Sequence, residues 1–465
     1  MVFAAAVLAA GALCASNGPV VDDVECLNPG ISGRVKVTYR LSGQPGIVTF
    51  DVETNCTDSA GVEKWATIGH DKLWYTGGDV QKLVQPGAGR SFMWFARRSW
   101  PQQDTTPANM RVVVKAVATN TPPDYMVCNL ESGERFYYDD ADGLPGGIDS
   151  DGYRKHLLLM RKIPARGVVW HYGPPTYKPE YNSGYDNTYT VAFTRDYYMG
   201  VFEVTQWQWN YVCVTREGYA PRTYVPYFPG DTRPFDSGGI ILPPYGITGN
   251  GASVPHWNDG TDADFAINSQ CFIRRVRELT GLGIHLHLPT EWQWEYACRA
   301  GTLSAFNNGG ELGSAAEATN ASLDQVGRYK GNGGYIDNGD GTYTAPEYGT
   351  ADTSVGTAPV GSYAPNAWGL YDMHGNVREW CRNRRGFNRG DMYNERDLSP
   401  EIVRVDPIGA TNNTAGVTTT HLSSRGGAWY STPRECASTY RGESIQEWQD
   451  GASRNGFRLC YTIYE

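Results

Sequence analysis

Everything after residue 301 is rich in Gly, Asn and Tyr and offers few segments that pattern as regular elements. A domain with so much irregular chain must fix its loops by means other than a large core; disulfides and bound cations are the usual means. Before that stretch, two helices are marked by their starts. "TQWQWNYVC" has Thr205 as an N-cap with Gln208 three residues on, and "TEWQWEYACRAG" sets Thr290 and Gln293 in the same relation. Both read as capping boxes, in which cap and third residue satisfy each other's backbone N–H, and Gly301 stands where a C-cap belongs. A third helix is expected within "AINSQCFIRRVRELTG", residues 266–281.

The N-terminal part follows a different period. "RVKVTYRLS" (34–42), "GIVTFDVETN" (46–55) and "RVVVKAVAT" (111–119) alternate apolar and polar residues, with turn formers between them. Alternation with period two predicts half-buried strands. About 100 residues of this kind suggest a β-sandwich of immunoglobulin or fibronectin type over 20–120. Residues 121–156, with "DDADGLPGGIDSDG", read as a linker or extended segment, and a second domain is expected over 157–465.

With 465 residues the chain is long enough for two or three domains. Its net charge of −10 and the lack of a long basic run argue against nucleic acid or anionic membrane as partners. The opening "MVFAAAVLAAGALCAS" is too short an apolar run to span a bilayer. It reads either as the core of an export signal, within residues 1–19, or as a buried N-terminal element. Ten cysteines are scattered without any CxxC pair, which excludes zinc ribbons and thioredoxin-type sites. Behind an export signal they would favour disulfides; otherwise they pack as small apolar groups.

Five phrases occur in order: "MGVFEVTQWQW" (199–209), "HLPTEWQWEYACRAGT" (287–302), "TAPVGSYAPNAWGLYDMHGNVREW" (357–380), "SRGGAW" (424–429) and "RNGFRLC" (454–460). Together they resemble the formylglycine-generating enzyme, or sulfatase-modifying factor, family over about 157–465. The resemblance implies a C-type-lectin-like fold with little regular structure, hence an α+β chain with a β-sandwich in front. It implies a calcium site at Asp372, the Gly375 and Val377 carbonyls and Glu379, oxygen ligands that suit a hard cation. A second would map to Asn320, the Ala321 carbonyl, Asp352 and the Ser354 carbonyl, across the insertion "GRYKGNGGYIDNGDGTYTAPEYG" (327–349), whose "DNGDGTYT" reads better as a β-turn than as a calcium loop. It also implies a Cys298–Cys460 disulfide. Cys381 with Cys436 and Cys213 with Cys271 are further candidate pairs.

The family's oxidases convert a substrate cysteine to formylglycine with O₂, using Cu(I) held between two cysteines five positions apart. On "GGAWYSTPREC" those positions are Ser431 and Cys436. Cu(I) is soft and seeks two thiolates, so a serine there predicts no copper and no catalytic residues. His285 and His287 are too few for the iron site of a sulfoxide-forming branch. The stretch from Trp429 to Arg454 also resembles the variable region of retroelement-diversified proteins, which use the same scaffold to bind. Tyr430, Ser431, Thr432, Glu435 and Trp448 are therefore expected to form a recognition surface of aromatic and small polar groups. The sequence thus points to an exported, non-catalytic protein at the cell surface, with bound Ca²⁺. Its partner would be an extracellular protein, a glycan or copies of itself. A formylglycine-generating oxidase is the alternative.

Overall fold

The computed structural model describes residues 2–3, 18–27, 33–57, 61–101, 110–173, 189–215, 226, 228–236, 272–314, 317–339, 342–347, 349–350, 352–385, 403–407, 421–441, 445–446 and 455–464. Two compact units emerge: Met1–Cys128 with Glu134–Tyr153 and Ile463–Glu465, and Asn129–Gly133 with Arg154–Thr462.

The first unit is strand-rich, as the alternating runs predict. Strands β1 (Val20–Leu27), β2 (Val35–Ser42), β3 (Gly46–Thr57), β4 (Glu63–Thr67), β5 (Thr76–Gly78), β6 (Lys82–Val84), β7 (Gly87–Trp94) and β8 (Met110–Val117) form two antiparallel sheets. One has the order β1–β2–β7–β5, with Val2–Phe3 beside β1; in the other β3 pairs with β4, β6 and β8. Period two decides which side chains go inside. On β2, Val35, Val37, Tyr39 and Leu41 are buried while Lys36 and Arg40 are exposed. They share one core with Val48, Phe50 and Val52 of β3, Phe92 and Trp94 of β7, and Val112 and Val114 of β8.

The stretch 121–156 is more than a linker. It carries the antiparallel pair β9 (Tyr125–Asn129) and β10 (Arg135–Tyr138). Its acidic residues are put to structural use: Thr49 Oγ1 donates to Asp139 at 3.1 Å, and His70 Nδ1 lies 2.5 Å from Asp140. Composition alone could not show this, because the partners lie 90 and 70 residues away.

In the second unit, β11 (Leu157–Ile163), β14 (Tyr197–Gly200), β22 (Cys460–Thr462) and β15 (Leu286–His287) pair antiparallel in that order. Strands β12 (Val169–Tyr172), β13 (Tyr189–Ala192) and β19 (Val403–Val405) make a small sheet. In another, β18 (Arg378–Arg385) runs between β20 (His421–Arg425) and β21 (Asn455–Gly456). Both expected capping boxes are present, on α1 (Gln206–Asn210) and α3 (Glu291–Arg299). The end of α3 turns at Ala300, φ 45°, followed by Gly301, φ 91°. Helix α2 is Phe272–Thr280, and α4 is the short Leu323–Val326. Asn338 and Gly339 of the insertion follow β16 (Ile336–Asp337), which pairs with β17 (Tyr343–Thr344), and Asn338 N donates to Thr342 O; the Asp-Gly after them lies outside the described residues. Among the described residues no helix is long and apolar enough to cross a membrane.

The first unit's core makes a direct prediction. Phe50 is 4% exposed and packs 4.8 Å from Phe92, ring centre to ring centre. Phe50→Ala is expected to cost about 3–5 kcal/mol by transfer loss and cavity formation, measured by denaturant unfolding of the whole chain. A loss below about 1 kcal/mol would mean that the two sheets do not share this core.

Candidate functional site

The five phrases converge on one buried polar centre. "DMHGNVREW" is its hub. Asn376 takes the left-handed conformation, φ 62°. Its Oδ1 accepts from Ala358 N at 2.9 Å and its Nδ2 donates to Glu203 Oε2 at 2.7 Å. Its own N–H donates to Arg328 O, and its carbonyl accepts from Trp429 N. One side chain and its backbone thus bind "TAPVG", "MGVFEV" and "GGAW" together. Gly375 has φ 97°, and a Cβ there would lie 2.0 Å from Arg328 O, so only glycine fits. A Cβ on Gly427 would come within 2.6 Å of Cys436 Sγ.

Beside this hub lie buried ion pairs. Arg458, 0% exposed, donates from Nε to Glu379 Oε2 at 2.7 Å and from Nη2 to Oε1 at 2.5 Å. Trp294 Nε1 donates to the same carboxylate at 2.8 Å. Helix α3 contributes two acids one turn apart. Glu291 accepts both forks of Arg441 and the Tyr172 hydroxyl. Glu295 accepts from Arg299, Arg425 and Gly173 N. Burial pushes the Glu203 carboxyl well above its usual range, and the nearby Asp372 and Glu379 charges add to that. Asp372 is pushed up to about 6, chiefly by burial, against the Gly361 N–H that donates to its Oδ2 at 2.6 Å.

These contacts decide how the expected calcium ligands fit. Both Glu379 oxygens are taken by Arg458 and Trp294. One Asp372 oxygen is taken by Gly361; the other, Oδ1, is buried without a partner. That Asp372 oxygen and the Gly375 and Val377 carbonyls would make three, where Ca²⁺ takes about six to eight oxygens. At the second position Asn320 Oδ1 accepts from Ser322 N and Leu323 N at the start of α4. Asp352 Oδ1 accepts from Ser354 N at 2.9 Å, and the Ser354 carbonyl accepts from Arg328. Ala321, the fourth residue of that set, lies on the exposed turn before α4. Neither set, as arranged, fits a calcium ion.

Two of the expected disulfides are not formed: Cys298, Cys381, Cys436 and Cys460 are free thiols. The Cys213–Cys271 pair involves Cys271, which lies outside the described residues. Cys298 Sγ is 3.7 Å from His374 Nε2 and 3.8 Å from both Ser438 Oγ and Met373 O. Cys381 packs in the same apolar cluster as Cys298 and Cys460, whereas Cys436 packs in another with Phe306, Leu323 and Tyr329. His374 sits between these groups: Nδ1 donates to Cys436 O at 2.8 Å, Nε2 accepts from Asn307 N, and burial lowers its pKa to about 4, so it stays neutral. His287 is likewise buried, bonded to Leu288 O and Thr462 Oγ1, and burial pushes its pKa far down.

The stretch expected to be a recognition surface is mixed. Ser431 is 0% exposed, which corrects its placement on that surface. Its N–H donates to Ala428 O, its carbonyl accepts from Lys330 N, and its Oγ lies 3.5 Å from Arg378 Nη2. Arg378 also donates to Glu435 Oε1 at 2.8 Å and lies over the Tyr430 ring. Glu435 Oε2 accepts from the N–H and hydroxyl of Thr432, which closes the turn before Cys436. Tyr430, Thr432 and Glu435 are half-exposed; Trp448 lies outside the described residues. Sequence reasoning missed Arg378, Lys330 and Tyr335. Lys330 Nζ lies 3.9 Å from the Tyr343 ring centre, and Tyr335 stacks on Trp429. The aromatic content of the insertion was the available signal.

The chain belongs to the sulfatase-modifying factor enzyme 1-like domain family, whose model matches residues 166–463. It is 34% identical over 131 residues to the formylglycine-generating enzyme of Thermomonospora curvata, covering 28% of this chain and 36% of that protein. To the formylglycine-generating enzyme of Streptomyces coelicolor it is 40% identical over 95 residues, 20% of this chain and 25% of that protein. The matches thus span little more than a third of these relatives at most. Among solved structures, Treponema denticola variable protein 1 aligns over 66% of this chain and 95% of its own at 20% identity, with a TM-score of 0.38.

Thiol titration checks the cysteine assignment. Without reductant, the denatured chain is expected to expose at least seven thiols, those of Cys26, Cys56, Cys128, Cys298, Cys381, Cys436 and Cys460, while in the native protein only Cys56 of those seven is accessible. Fewer than seven thiols after denaturation would restore the disulfide reading.

Proposed function

We propose that this chain is a non-catalytic member of its family that uses the domain to bind. The observation that carries the reading is the state of the Ser431 and Cys436 pair. The family resemblance puts a copper ion between two thiolates here, and only one thiol is present. Ser431 Oγ is buried beside a guanidinium, and a hydroxyl neither ionises near neutral pH nor suits a soft cation. Cys436 is fully buried, and burial pushes its thiol pKa far up, so it is held protonated rather than as a reactive thiolate. The half-exposed Tyr430, Thr432 and Glu435, with Arg378 and the Tyr335 and Tyr343 rings beside Lys330, would then be the binding face. Rigid rings interleaved with polar groups suit recognition of an extracellular protein, a glycan or a second copy of the chain. On this reading the first unit is an immunoglobulin-like spacer and the protein is exported to the cell surface.

The second reading is a formylglycine-generating oxidase, favoured by the identity to enzymes of that name. The two separate in one assay. The purified chain is incubated with Cu(I), O₂, a thiol reductant and a peptide carrying the sulfatase cysteine motif. No aldehyde above the protein-free control is expected. Aldehyde formed over many turnovers per chain would overturn the non-catalytic reading.

A further inference from the structure

Arginine takes one of the implied ligands at each of the positions where the family resemblance implies calcium: Arg458 the Glu379 carboxylate, and Arg328 the Ser354 carbonyl. We infer that three guanidinium groups, those of Arg458, Arg328 and Arg233, stand in for the divalent cations in this chain, and that its domain holds its loops without calcium.

At the first position Arg458 gathers oxygens from three separate segments, which is the task a bound cation would perform. Besides the forked bond to Glu379, Nη2 donates to Tyr371 O at 2.9 Å, and Nη1 donates to Gly200 O at 3.0 Å and approaches Val201 O at 3.4 Å. One carboxylate and three carbonyls thus surround a single positive charge, with no exposure to solvent. A calcium ion bound through Glu379 would have to displace Arg458 from the same two oxygens. It would leave a buried guanidinium beside a dication, and like charges in a dry interior repel strongly.

The second position shows the same substitution independently. Arg233 Nη2 donates to Asp352 O at 2.6 Å, and Nη1 approaches Val355 O at 3.3 Å. Arg328 donates to Ser354 O from Nη2 and to Gly356 O at 2.9 Å from Nε. Four carbonyls of the loop 352–356 are therefore held by two side chains reaching in from 233 and 328. Arg233 is 1% exposed and Arg328 7%. A guanidinium offers five donors in a fixed fork and stays charged at any ordinary pH, so it can organise carbonyls permanently where a bound ion would depend on supply.

The test uses the full chain. Its calcium content is measured by mass spectrometry after gel filtration, and its melting is followed with EGTA and with millimolar CaCl₂. Far less than one calcium per chain and superimposable melting curves are expected. One or more calcium ions retained per chain, or melting that rises by several degrees in calcium, would overturn the inference, since a ligand bound only by the folded state must stabilise it. A variant arm tests the arginines themselves. Arg328→Gln should melt several degrees below the parent and Arg328→Lys in between, because an ammonium keeps the charge but loses the fork. A parent-like melting temperature for Arg328→Gln would contradict the role given to the guanidinium.

Discussion

The forked bond between Arg458 and Glu379 is the contact on which the second unit depends. It joins the last phrase of the chain to the strand that follows the asparagine hub, and both partners are fully buried. A buried ion pair is not in itself a strong source of stability, because desolvating two charges offsets most of their attraction. What it supplies is register. Either charge left alone in this interior would cost several kcal/mol, so alternative packings that separate them are excluded. The Glu291–Arg441 and Glu295–Arg425 pairs apply the same constraint to α3, whose two acids face arginines 150 and 130 residues away. A unit whose described strands and helices are this short needs such long-range locks, since its backbone ladders fix little beyond their neighbours.

The turn that holds Ser431 and Cys436 is built by this framework. Gly427 lets the backbone pass against Cys436, and the turn from Ala428 to Cys436 is closed by Thr432 and Glu435. Within that turn Ser431 faces inward to Arg378. On the proposed non-catalytic reading this polar contact stands where a soft metal ion would be held, and the half-exposed rim of the turn is the binding feature.

Much of the fold was legible where the cause is local. The two capping boxes depend on residues three apart, and the β2 alternation depends on period two; both are found as read. The insertion's Asn338 and Gly339 follow the first of two paired strands for the same reason. Legibility ended where partners are far apart. No spacing rule announces that Glu203 meets Asn376, 173 residues on, or that Arg328 reaches the 354 carbonyl. The cysteines misled because a thiol that packs as a small apolar group looks the same in sequence as one awaiting a partner. Ser431 misled because a small polar residue between exposed neighbours gives no sign of facing inward.

The central role of the Arg458–Glu379 pair is tested most directly by a double-mutant cycle, with unfolding free energies of Glu379→Gln, Arg458→Met and the double variant. Each single change should cost about 3–5 kcal/mol, because each strands a buried partner. The double variant should lose clearly less than their sum, since neither charge remains alone. Single losses below about 1 kcal/mol that add without coupling would contradict the account.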